Sequence, residues 1–309
     1  MNLLELVRLR TRLLGVNSSP AKSQMLDLFV ELKSALAGYP FHEIDVFEQQ
    51  IMHLLTNLNQ CTKDIADKLQ EKIDTFANDC NQKSQEMYND GILCDTPEYL
   101  FEKNAQYFNN ASEDAKNAFL EKIKTKIDWH YPAMEIRPNN GSITEHLVAC
   151  DPLYLVDTRE DMFARVQAAW NEVYQRRVRY YVVDEQSSEI LKALPENQFG
   201  LIVSADFLDR RPLELIRRYL VEIYTKLRPG GTAFLTFNDC DYPEGIENFN
   251  NIYYCYTPGH TIIEYCNSIG YIVKGLYRLN GATSYLEIQK PGELTTIRAG
   301  QAIGKIIEI

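Results

Sequence analysis

Residues 133–157, AMEIRPNNGSITEHLVACDPLYLVD, read as a strand, a tight turn, a short helix and a second strand that closes on an acid. That order is the first βαβ unit of a nucleotide-binding sheet, where the turn cradles a cofactor and the acid holds a ribose. The turn departs from the usual pattern. Where such a unit carries several glycines, this one has Arg137, Pro138, Asn139 and Asn140 ahead of the single Gly141.

Downstream of this unit, short apolar runs alternate with helical segments. Strands are expected at 133–136, 153–156, 180–183, 201–204, 232–237, 271–274 and 284–289. Helices fit between them at 142–149, 159–175, 187–193, 213–226 and 260–269. Such alternation builds a parallel sheet covered on both faces through right-handed crossovers. The last two strands lie too close together for a helix, and Asn280-Gly281 between them is a hairpin signal. The sheet therefore ends in an antiparallel pair, which a dinucleotide dehydrogenase would not have.

Several short motifs stand in a fixed order along this region. Glu135 ends the first strand, Asp157 the second, and Asp184 follows the third in YVVDEQ. LPENQFGLIVSADFLD spans the fourth strand, and KLRPGGTAFLTF (226–237) forms a Leu-x-Pro-Gly-Gly turn into the fifth. Tyr256-Thr257, a helix and Ile269-Gly270-Tyr271 lead into the hairpin. In this order they resemble the class I S-adenosylmethionine-dependent methyltransferases, over residues 129–290. The resemblance implies a Rossmann-like α/β sheet with a terminal antiparallel hairpin, and S-adenosylmethionine as cofactor. Carried over position by position, it implies cofactor contacts from Glu135, Arg137, Asn139, Gly141, Asp157, Thr158, Asp184, Glu185 and Ser204.

The chemistry of the residues supports part of this. Vicinal ribose hydroxyls are donors, so a carboxylate at the tip of the second strand binds both. Asp157 suits that role, or the capping of a helix that begins at Thr158 or Arg159. Asp184 is equally suited to an adenine contact and to capping the segment from Ser187. Glycines in the first turn let the backbone approach the cofactor and adopt positive φ. Gly141 stands at the third glycine position, and Arg137 and Asn139 at the first two. Asn tolerates left-handed backbone. The Arg137 side chain can point away, pair with Glu135 or the cofactor carboxylate, or fill the pocket, and a cation beside the sulfonium weakens cofactor binding.

No transfer machinery is evident. The Asn/Asp-Pro-Pro-aromatic tetrad of nucleic-acid N-methyltransferases is replaced by Ser204-Ala205-Asp206-Phe207. Asp206 reads as a general base or a solvated loop acid, and direct displacement needs mainly alignment. His130, Tyr131, Tyr242 and His260 are candidates to line a substrate pocket, while Tyr253, Tyr254 and Tyr256 read as packing.

The first 128 residues carry almost no strand signal and form a helical domain. A first amphipathic helix is expected over 3–14 and a second over 20–37. From Ile44 to Cys80 the apolar positions step by three and four, giving a coiled-coil-like helix that packs within one subunit or self-associates. Asn89-Asp90-Gly91 marks a turn, Asp95-Thr96-Pro97 opens a helix, aromatic residues follow between Tyr99 and Phe119, and Ser112 opens a last helix. The tail, 291–309, alternates apolar and polar residues as a short β extension.

The chain of 309 residues carries a net charge of −11, which argues against a nucleic-acid partner. Its short basic clusters, Arg176-Arg177-Arg179 and Arg210-Arg211, read as solvated faces. Seven dispersed cysteines without a CxxC pair exclude a zinc motif and point to reduced thiols in the cytoplasm. The N-terminus offers neither a signal peptide nor a membrane span. Two functions follow as expectations. One is methyl transfer from S-adenosylmethionine to a small molecule or protein side chain. The other is a catalytically inactive structural or scaffold subunit of a larger assembly, for instance a viral one. Either protein would self-associate or meet a partner through the N-terminal helices and the tail.

Overall fold

The computed structural model describes residues 2–16, 53, 60, 63–93 and 111–294. The expected second helix, the segment 94–110, most of the coiled-coil seam before residue 63 and the tail beyond 294 lie outside these residues. The chain divides into two compact units, Met1–Cys80 and Asn81–Ile309.

In the first unit, helix α1 (Leu3–Val16) buries Leu3, Leu6 and Val7. Residues 63–74 are helical and bury Ala66 and Ile73. The expected unbroken run to Cys80 is interrupted by a turn at 75–76, where the Thr75 hydroxyl donates to the Lys72 carbonyl at 2.7 Å. Helix α2 (Ala77–Asn89) then begins anew.

The second unit is a seven-stranded sheet with helices on both faces. Its strands are β1 (Ala133–Ile136), β2 (Leu153–Asp157), β3 (Val178–Val182), β4 (Phe199–Ser204), β5 (Leu227–Asn238), β6 (Ile272–Arg278) and β7 (Thr283–Gln289). Their order across the sheet is β3-β2-β1-β4-β5-β7-β6. The first five are parallel, while β7 runs antiparallel between β5 and β6. The order reverses between β1 and β4, and in open α/β sheets ligands bind outside the carboxyl ends of the strands at such a switch point.

Helix α3 (Glu113–Lys124) starts where the Ser112 hydroxyl accepts from the Ala115 amide at 3.2 Å. It buries Phe119 and Ile123 against one sheet face, with Phe119 edge-on to Phe234 at 6.4 Å and 4.7 Å from Tyr285. From α2, the Ser84 hydroxyl accepts from the Tyr256 amide at 2.9 Å. These contacts bind α3 and the part of α2 after Cys80 to the sheet within the unit Asn81–Ile309.

Between β1 and β4 the expected helices are shorter than the sequence suggests. Helix α4 covers only Thr144–Leu147. The segment 159–175 divides into a 3-10 turn at Glu160–Phe163, α5 (Ala164–Ala169) and α6 (Glu172–Gln175). The break lies at Asn171, whose side chain accepts from the Val173 and Tyr174 amides and so caps a new helix. No helix forms at 187–193, because the Ile190 and Leu191 amides donate to the Glu222 carboxylate at 2.7 and 2.5 Å.

The opposite face is covered by α7 (Leu213–Lys226), which buries Leu213, Ile216, Tyr219, Leu220 and Ile223 at helical spacing. Helix α8 (Pro243–Asn250) was not expected. Helix α9 (Gly259–Ile269) ends at Gly270, whose φ of 103° lets its own amide and that of Tyr271 reach the Cys266 carbonyl. The Leu-Arg-Pro-Gly-Gly segment already belongs to β5, since Leu227 pairs with Phe199. A Cβ at Gly231 would lie 2.7 Å from the Phe199 carbonyl oxygen, so only glycine allows this approach.

Candidate functional site

The 137–141 turn sits at the carboxyl tip of β1, beside the switch point. Its backbone is left-handed at Arg137 (φ 66°), Asn139 (φ 50°) and Gly141 (φ 87°). These are the three glycine positions expected from the sequence, and the loop keeps their conformation with two non-glycine residues. A left-handed arginine costs about 1–2 kcal/mol, so its surroundings must hold it. The Arg137 amide donates to the Val156 carbonyl at 2.8 Å, and the Asn139 side-chain amide donates to the Ala205 carbonyl at 3.2 Å.

The Arg137 side chain turns inward and is 1% exposed. Its Nε lies 2.6 Å from Asp157 Oδ2, with both side chains wholly buried. The contact is a close, fully buried ion pair. Asp157 Oδ1 accepts from the Arg159 amide at 3.2 Å and the Thr158 hydroxyl at 3.4 Å. These contacts close a local turn at Asp157 and not the helix cap expected there, since the 3-10 turn begins at Glu160 with Arg159 as its N-cap. Its second oxygen, the one left for a ribose, faces Arg137.

A second buried pair continues from the first. The guanidiniums of Arg137 and Arg211 lie over the ring of Phe207, at 5.0 and 3.9 Å from its centroid. Arg211 donates to both oxygens of Glu185, at 2.8 and 3.3 Å. Glu185 also accepts from the hydroxyls of Tyr219 at 2.9 Å and Tyr88 at 2.7 Å. A connected series therefore runs Asp157–Arg137–Phe207–Arg211–Glu185, and Tyr88 ties it to α2. Arg210 and Arg211 are each 2% exposed, which corrects the solvated face read from their sequence. Tyr88→Phe is expected to cost about 1.5–3 kcal/mol in urea denaturation, the worth of a hydrogen bond to a charged acceptor; an unchanged midpoint would sever α2 from this network.

Glu135 and Ser204 lie beneath the turn at the ends of β1 and β4. Both are buried, and neither Glu135 Oε2 nor the Ser204 hydroxyl has a hydrogen-bond partner. Burial pushes the Glu135 carboxyl up to about 8, against a smaller lowering by Thr144. Burial thus favours the protonated form of this carboxyl near neutral pH. Asp184 stays exposed and caps its own turn, accepting from the Gln186 amide at 2.9 Å. The fold thus gathers Glu135, Arg137, Asn139, Gly141, Asp157, Thr158 and Ser204 around the switch point. Glu185 joins them through Arg211 and Phe207, and Asp184 does not.

The residues expected to line a substrate pocket are dispersed. The His130 ring lies 2.6 Å from Asp128 and stacks on Trp129, while Tyr131 is buried below Arg228. Tyr242 lies under Arg278. His260 Nδ1 is 2.7 Å from Asp241, whose other oxygen accepts from the His260 amide, an anchor for the start of α9. Asp206 has a positive φ of 53° and its amide donates to the Thr236 hydroxyl. The described cysteines are buried and unbridged, and burial pushes Cys255 and Cys266 to about 12, which removes them as nucleophiles at neutral pH. Among the described residues no group of three or more His, Cys, Asp and Glu could hold a metal, and no helix is long and apolar enough to cross a membrane.

Sequence reasoning missed Phe207 and Arg211. The signal available was the pair Arg210-Arg211 directly after the fourth strand, where a solvated patch has no reason to sit beside a ligand crevice.

The residues present do not fit S-adenosylmethionine in this conformation. The ribose acid is buried against a cation, and Glu135, whose protonated form burial favours, does little to balance a sulfonium.

No protein-family profile and no curated protein matches this chain. Among solved structures, the N-methyltransferase NodS from Bradyrhizobium japonicum WM9, in complex with S-adenosyl-L-homocysteine, is 15% identical with a TM-score of 0.47, over 69% of this chain and 98% of that one. An S-adenosylmethionine-dependent methyltransferase from Mesorhizobium loti is 14% identical with a TM-score of 0.47, over 59% of this chain and 100% of its own. The [4+2]-cyclase SpnF is 12% identical with a TM-score of 0.46, over 59% and 83%. These overlaps are loose, and the architecture rests on strand order. With five parallel strands, the reversal between β1 and β4 and the antiparallel β6–β7 hairpin, residues 133–289 have the fold of the class I S-adenosylmethionine-dependent methyltransferases.

Proposed function

We propose that this chain is a methyltransferase-fold protein that does not use S-adenosylmethionine and acts as a structural or scaffold subunit, associating through its N-terminal helices and C-terminal tail. The observation that carries this is the buried contact between Arg137 and Asp157 at 2.6 Å. A ribose diol needs that carboxylate, and the cofactor's sulfonium would stand beside a guanidinium. Opening the contact for a ligand that brings no anion breaks a wholly buried ion pair, a cost of about 3–5 kcal/mol.

Methyl transfer to a small molecule or protein side chain is the second reading. The left-handed backbone kept at 137, 139 and 141 favours it, because a loop of that shape can receive the cofactor once Arg137 swings out.

Isothermal titration with S-adenosylmethionine and S-adenosyl-L-homocysteine separates the two. The expected result is no heat of binding up to millimolar ligand, with affinity appearing when Arg137 and Asn139 are both replaced by Gly. Micromolar binding by the unaltered chain would remove the proposal. For the scaffold role, light scattering is expected to show association that grows with concentration, and a strict monomer counts against it.

A further inference from the structure

We infer that the outer edge of β3 is a self-association surface, to which a second copy of this chain adds its own β3, antiparallel about a two-fold axis at Tyr180. The inference goes beyond the reading above, since this surface is separate from the N-terminal helices and the tail.

Strand β3 ends the sheet on one side and pairs only with β2. The Arg177 carbonyl bonds to Leu153 and the Val183 amide to Asp157, both on β2. Backbone groups alternate along a strand, so Val178, Tyr180 and Val182 turn their N–H and C=O groups outward. The Val182 side chain is 54% exposed. The Arg179 side chain lies along the edge and donates to the Arg176 and Val178 carbonyls at 2.8 and 3.1 Å. A carbonyl has two lone pairs, so Val178 can still accept an amide from another strand.

The other edge of the sheet is guarded. In β6 the register shifts between Val273 and Gly275, and the intervening Lys274 is exposed. A bulge and an edge lysine both discourage a further strand. By contrast, β3 keeps a regular register over all five residues and contains neither lysine nor proline.

Charge selects the partner and its direction. The edge is basic at its N-terminal end, with exposed Arg176 and Arg179, and acidic beyond its C-terminal end, with exposed Asp184. A second β3 laid parallel would set arginine against arginine. Laid antiparallel about Tyr180, it sets Arg176 of each copy opposite Asp184 of the other. The same register makes Tyr180–Tyr180 and Val178–Val182 hydrogen-bonded pairs, and it brings Arg179 against Tyr181 in the closer pairs between them, within cation–π reach. Helix α6, two residues ahead of β3, exposes Val173 and Tyr174 at the end where Val182 of the second copy arrives. Their burial adds apolar area to the main-chain bonds.

The test is sedimentation velocity of the full chain across the micromolar range, for the unaltered chain, Val182→Lys, Arg176→Asp, Asp184→Arg and the double variant Arg176→Asp/Asp184→Arg, each checked for native circular dichroism. The unaltered chain is expected to form dimers. Val182→Lys, which gives β3 the guard that β6 already has, is expected to abolish them. Each single charge reversal sets like charges together at two symmetric places and is expected to weaken the dimer at least about tenfold. The double variant exchanges the two charges and is expected to return the dimer to within about threefold of the unaltered chain. Association left unchanged by Val182→Lys and by both reversals overturns the inference and leaves the scaffold reading standing. Dimers that the reversals weaken and the double variant fails to recover overturn it as well, because the register is then different. A chain that stays monomeric throughout overturns both readings.

Discussion

Asp157→Asn is expected to lower the folding free energy by about 3–5 kcal/mol, because it removes the carboxylate from a wholly buried ion pair with Arg137. Arg137 is 1% exposed, and its loop backbone is tied to the Val156 carbonyl. In a unit of this size each kcal/mol moves the midpoint of thermal unfolding by about 2–4 °C, giving a fall of about 10 °C. The double variant Arg137→Met/Asp157→Leu removes both charges and is expected to lie within about 1 kcal/mol of the natural chain, since apolar replacement of a buried pair is often neutral. The contrast is diagnostic of function as well as stability. An aspartate facing a solvent-filled cofactor cleft would lose under about 1 kcal/mol on the same substitution. Urea denaturation of the single and double variants measures both, and a single variant as stable as the double would mean that Asp157 is not the counter-ion of Arg137.

The sheet was legible in the sequence because its signals are local. Leu153–Val156 and Leu201–Val203 are continuous apolar runs, and Asn280-Gly281 permits a tight hairpin. The three positive φ values of the first turn were legible too, by position, although Arg137 and Asn139 hide two of them. What fills the pocket was not. Phe207 and Arg211 reach Arg137 from the β4 tip, and Glu185 meets them from the β3 tip, contacts set by strand order and not by spacing along the chain. The helices between β1 and β4 failed for a related reason. Ile190 and Leu191 have apolar spacing that suits a helix, but the Glu222 carboxylate, more than thirty residues away, takes their amides. Residue-level chemistry also left open three destinations for the Arg137 side chain, and burial selects the one that fills the pocket.

Glu135→Gln is expected to change the pH dependence of stability more than any other single substitution at this site. The Glu135 carboxyl is raised from an ordinary 4.5 to about 8 by burial. Below pH 4.5 both folded and unfolded chains hold the proton, and the group contributes no difference. Between 4.5 and 8 the unfolded chain releases the proton while the folded chain keeps it, so stability falls as pH rises. Above 8 both are ionised and the loss is complete. The interval of about 3.5 pH units, 8 minus 4.5, corresponds to roughly 5 kcal/mol. Glutamine has the shape of the protonated acid and does not titrate. The variant is therefore expected to match the natural chain near pH 4.5 and to exceed its stability by about 4–5 kcal/mol at pH 9. Asp239, raised to about 6, adds its own slope between 3.8 and 6 in both proteins and cancels in the comparison. Parallel stability curves across pH 5–9 would show that Glu135 is ionised in the fold. The floor of the pocket would then carry a charge able to balance a sulfonium, and the exclusion of that cofactor would rest on Arg137 alone.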